Sequence, residues 1–192
     1  MYTANRFRGL ATGAGFFNGF GTLWIALALS GLDLWKIDRV ILVASVAAVL
    51  AFGCSYLFRL ARHWPTIPKN RPQERAFLRV NLAQWVVIGI LPPIFGHFHL
   101  EAYICSVITV VVGIHFIPLA KIFAWPPHLV TGAVLSLWAG LSVLVLPMET
   151  MQGVTALGTG VILWASAVYS LTKGILAARR FASADPTSAQ PA

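Results

Sequence analysis

The sequence predicts an all-α polytopic membrane protein, a bundle of six transmembrane helices with both termini in the cytoplasm. Three observations carry this. First, six stretches hold no charged residue: Gly9–Leu32, Val40–Phe58, Val80–Leu100, Ala102–Ala120, Ile122–Met148 and Thr150–Thr172. Each has 19 to 27 residues, and a helix needs ~20 apolar residues to cross a bilayer. Second, only 10% of the 192 residues are charged and 58% are hydrophobic, with a mean hydropathy of +0.77. Soluble domains average ~25% charged residues. Third, the charges between the runs are segregated. With the N-terminus inside, the cytoplasmic segments carry 12 of the 14 basic residues, and only Lys36 and Arg39 fall on the far side. Asp33, Asp38, Glu101 and Glu149 lie on that far side, as the positive-inside rule expects.

One domain is expected over residues 1–181, with spans near 9–32, 40–60, 76–95, 102–120, 127–148 and 150–175. A disordered tail should follow at 182–192, rich in Ser, Pro and Gln. The apolar run after Arg6 and Arg8 is 24 residues long. A signal-peptide core is ~7–15 residues, so this run reads as a retained first span. The net charge of +8 is accounted for by topology and by anionic lipid headgroups at Arg59–Arg79. No nucleic-acid-binding motif accompanies it.

Span 1 carries Gly9/Gly13 and Gly15/Gly19, two GxxxG pairs. Such pairs let helix backbones approach closely. Packing against span 2 or 6 is the expected use, and a dimer face in a homo-oligomer is the alternative. Span 2 is Val, Ala, Leu and Ile up to Tyr56. The connection Arg59–Arg79 contains Pro65, Pro68 and Pro72, which should prevent a continuous helix, and Trp64, expected at the membrane interface. Span 3 holds Asn81 and Gln84 on one face, and Pro92-Pro93 should end or kink it. Span 4 contains His115 and Pro118. Span 5 should start at Pro126-Pro127. Span 6 ends near Lys173.

No Asp or Glu lies within a span, so the usual intramembrane proton relays and cation ligands are missing. There is no GxSxG and no HExxH, the marks of serine hydrolases and zinc proteases. The deepest titratable group is His115, beside a carbonyl of Ile114 that Pro118 cannot bond. Asn81, Gln84, Tyr56, Tyr169 and Thr172 fall at similar depth, and would line a cytoplasmic cavity with His115 if their helices turn them together. Asn18 is the deepest amide, as helix glue or as part of a pathway. His97, His99 and Glu101 alternate in the outer turn; in an extended backbone they would share a face and suit a divalent transition metal. Cys54 and Cys105 belong at opposite ends of their spans, too far apart to pair.

The stretch Gly113-Ile114-His115-Phe116-Ile117-Pro118-Leu119-Ala120, with the Trp125-Pro126-Pro127-His128 turn after it, resembles segments of uncharacterised six-span bacterial integral membrane proteins. The resemblance covers one helix and its turn, implies an inner-membrane location and brings no activity. Three functions are therefore weighed. The first is a small transporter or channel for a neutral or anionic solute. The second is an intramembrane enzyme or cofactor-binding protein acting on a lipophilic molecule through His115. The third is a non-catalytic accessory or assembly protein that uses the glycine face of span 1.

Overall fold

Each uncharged run folds as one helix. The computed structural model describes residues 4–63 and 70–184. Its helices are α1 (Ala4–Gly31), α2 (Ile37–Leu60), α3 (Arg71–His97), α4 (Ile104–Ile122), α5 (Pro127–Val145) and α6 (Met148–Ala184), with short 3-10 turns at Ala61–His63 and Glu101–Tyr103. Six helices are long and apolar enough to cross a membrane. The chain is a multi-pass membrane protein by that measure. Trp64, Pro65, Pro68 and residues 185–192 of the expected tail lie outside the described residues.

Several ends differ from expectation. α6 runs on to Ala184 rather than stopping near Lys173. At 37 residues it is ~55 Å long, well beyond a ~30 Å hydrocarbon core. α3 starts earlier than expected because Asn70 caps it, its side chain accepting from the Gln73 amide at 3.4 Å. Pro72 therefore opens a helix instead of breaking one, since the first-turn N–H groups have no helical partner anyway. Pro92 and Pro93 do not end α3, which continues through both to His97. Inside a membrane protein the carbonyls freed by proline are tolerated. Pro127 begins α5 as expected.

Three helices stop in the same way. Leu34 donates to Leu29, Leu100 to Phe95 and Trp125 to Ala120, at 2.8, 2.8 and 3.0 Å. The residue before each donor has positive φ: Asp33 at 52°, His99 at 57° and Ala124 at 47°. This is the left-handed C-terminal cap, here without the usual glycine.

α6 is the shared wall of the bundle. α1 packs along its length, with α2 beside both; α4 and α5 pack on its other side, and α3 is attached through α4. α1 and α6 touch through glycine. A Cβ placed on Gly21 would lie 2.6 Å from Trp164 Cδ1 and 3.0 Å from the Gly160 carbonyl, and one on Gly160 would lie 2.8 Å from the Gly21 carbonyl. Gly113 and Gly132 join α4 to α5 in the same way. α3 buries no residue, and α2 buries only Leu50, Cys54 and Leu57. Cys54 and Cys105 are both free thiols.

Candidate functional site

The polar interior is made of hydroxyls. Ser106 of α4 lies 3.1 Å from Ser142 of α5 and 3.4 Å from Thr155 of α6, so one oxygen joins three helices. Thr109 meets Thr159 at 2.9 Å, and Thr131 meets Ser166 at 2.9 Å. The Trp138 indole on α5 donates to the Thr155 carbonyl at 3.0 Å. Thr155, Thr159 and Ser166 share one face of α6 by helical spacing. Ser106, Thr109, Ser142, Thr155 and Thr159 are all at most 2% exposed. Each such pair is worth ~0.6 kcal/mol in a membrane protein. The seam holds helices together and offers no open group for chemistry.

Asn18, Tyr56 and Tyr169, placed at or near His115's predicted depth, each engage another neighbour. Asn18 Nδ2 donates to the Ala47 carbonyl at 2.9 Å, joining α1 to α2. Its Oδ1 is buried without a partner among the described residues. Tyr56 accepts from Arg179 at 3.3 Å, with that guanidinium 5.8 Å from its ring centre. Tyr169 carries Lys173 5.6 Å above its ring. Thr172 is exposed, and Asn81 and Gln84 sit half-buried on α3. His115 lies against the backbone of Val80, next to Asn81 and one turn before Gln84 on α3.

His115 does have one titratable neighbour, His128 at the start of α5, within electrostatic range. The His128 ring is set among aromatics: Phe116 at 5.6 Å, Phe17 at 5.8 Å and Phe123 at 6.3 Å. Two imidazoles are fewer protein ligands than a zinc site uses. Among the described residues, no three His, Cys, Asp or Glu side chains gather to hold a metal. That includes His97, His99 and Glu101. The outer turn is not extended: His97 ends α3, His99 is its left-handed cap and Glu101 opens a 3-10 turn. The shared face expected of alternating residues is therefore lost.

The glycine pairs of α1 are also placed differently from expectation. Built Cβ atoms on Gly9, Gly13, Gly15 and Gly19 would meet nothing within 4 Å. They do not pack inside the molecule. The close approach to α6 is made by Gly21, on the opposite side of the helix. Gly15 and Gly19 instead floor a groove of about 440 Å³, lined by Thr12, Phe16, Phe20 and Leu23. These six residues follow the i, i+3, i+4, i+7 pattern of a single helix face. The Phe20 ring at the groove lies 5.9 Å from Trp85 of α3. The lining is apolar apart from one threonine hydroxyl.

No protein-family model, curated protein or solved structure matches the chain.

Sequence reasoning missed the hydroxyl seam and the groove. Period was the available signal for the first: Thr155, Thr159 and Ser166 fall on one face of their span, as do Ser106 and Thr109 of theirs. The second was visible as residue size, because the glycines of span 1 alternate with the exposed rings of Phe16 and Phe20.

Proposed function

We propose that this chain is a non-catalytic accessory protein of a bacterial inner membrane, with both termini cytoplasmic, that works by binding at the α1 groove. The groove carries the reading. Among the described residues nothing packs on its floor, and none of its lining residues can donate or accept a proton at neutral pH. Such a surface recognises by shape and apolar contact. The orientation rests on the 12 basic residues at one end. Arg59, Arg62, Arg71, Arg75 and Arg79 are exposed there, where an anionic leaflet would attract them.

Two occupants suit a groove of this kind: an apolar chain from the bilayer, or α1 of a second copy in a homo-oligomer. Solute transport, the first expectation, was motivated by a short helix bundle, proline-broken spans and amides at depth. Asn18, Tyr56 and Tyr169 each engage a different neighbour away from His115, which favours the groove over a shared polar pathway.

Native mass spectrometry of protein released from membranes tests the proposal. Wild type should carry a bound lipid or a second copy that Gly19→Leu lacks, and proteoliposomes should pass small neutral or anionic solutes no faster than empty vesicles. Solute flux abolished by His115→Ala would overturn the reading.

A further inference from the structure

Resting on that reading, the geometry points to a specific occupant: we infer that the groove holds one phospholipid with an anionic headgroup, its acyl chain on the glycine floor and its phosphate among Arg8, Arg71 and Arg75.

The groove face of α1 and the adjacent face of α3 are built alike. On α1, Arg8 precedes Thr12 by one turn, and Gly15, Gly19 and Leu23 continue the same face. On α3, Arg71, Arg75, Leu78, Leu82 and Trp85 follow at alternating spacings of four and three, which keeps them on one side of the helix. Leu78, Leu82 and Trp85 are exposed at 64%, 61% and 48%. The contact between Phe20 and Trp85 brings the two stripes side by side. Both helices run in the same direction, because one crossing lies between them. Their arginines therefore end up together at one mouth of the groove. Arg8, Arg71 and Arg75 are all exposed. α1 contains no acidic residue. Glu74, the acid on the first turn of α3, already has an interaction of its own.

The groove is one leaflet deep. Thr12 to Leu23 covers ~16 Å of helix rise, about half of a ~30 Å hydrocarbon core. A cationic mouth above an apolar slot of that depth matches a single lipid with its head at the surface. Charge argues against a second copy. A two-fold pairing of α1 would set Arg8 against Arg8, with no acid on either helix to offset the repulsion.

The test is titration of the detergent-solubilised full chain with phosphatidylglycerol or phosphatidylcholine, read by native mass spectrometry. Wild type should take up one phosphatidylglycerol in preference to phosphatidylcholine. Arg8→Gln with Arg75→Gln should weaken phosphatidylglycerol binding by about thirtyfold and phosphatidylcholine binding by less, because choline offsets its phosphate, whereas the Arg→Lys pair should restore phosphatidylglycerol binding. Gly19→Leu should weaken both lipids. Equal binding of the two lipids by wild type would overturn the headgroup assignment. So would a dimer that Gly19→Leu dissociates, although the groove would then still be the binding surface. If Gly19→Leu changed neither lipid binding nor oligomeric state, the groove reading itself would fall.

Discussion

The two sides of α1 carry the same residue to opposite ends. On one side Gly21 lies under the Trp164 indole and the Gly160 carbonyl, with no room for a methyl group. On the other, Gly15 and Gly19 face open space. Only the second side carries a GxxxG spacing. The difference shows that a glycine becomes a packing device only where a neighbouring helix closes on it, as Trp164 and Gly160 close on Gly21, Trp138 on Gly158 and Leu57 on Gly174. Among the described residues nothing closes on Gly15 or Gly19.

Substitutions graded across α1 probe that contrast, each read as the thermal midpoint in detergent and by size-exclusion profile. Gly160→Leu should cost about 3 kcal/mol or more, because the new side chain would overlap Ile25 and the Gly21 carbonyl. Gly21→Ala should cost about 1–3 kcal/mol, the lower end applying if Trp164 swings aside. Asn18→Leu should cost no more than about 0.6 kcal/mol, since it removes an unpartnered buried oxygen together with the bond to Ala47. Gly19→Leu should stay within about 0.5 kcal/mol of wild type. If Gly19→Leu unfolded the protein, or Gly160→Leu were neutral, the two sides would have been assigned the wrong way round.

The fold was largely legible from the sequence and the site was not, for a physical reason. Crossing a bilayer demands a long uncharged run, and that demand is met within each segment by itself. Helix ends were less legible, because Asn70 and Pro72 act through local capping that hydropathy does not register. The rotation of each helix about its axis is set only by its neighbours. Depth placed Tyr56, Asn81 and His115 at one level, but rotation sends Tyr56 to Arg179, while His115 lies at Val80 beside Asn81. The alternation of His97, His99 and Glu101 was read correctly as a pattern. It failed as geometry, because a left-handed cap at His99 replaces the extended backbone the pattern needs. His115 and His128 do come within electrostatic range of one another.

The pairing of α1 with α6 has a consequence for how the chain is made. α1 leaves the ribosome well before its main partner, with four helices between them. Until Gly160 emerges, the narrow side of α1 has no surface to close on, and Asn18 can reach only Ala47 of α2. The nascent protein must therefore wait in the membrane with its first helix half-covered. Arrival of α6 then closes the bundle in one late step, bringing together two helices far apart in the sequence.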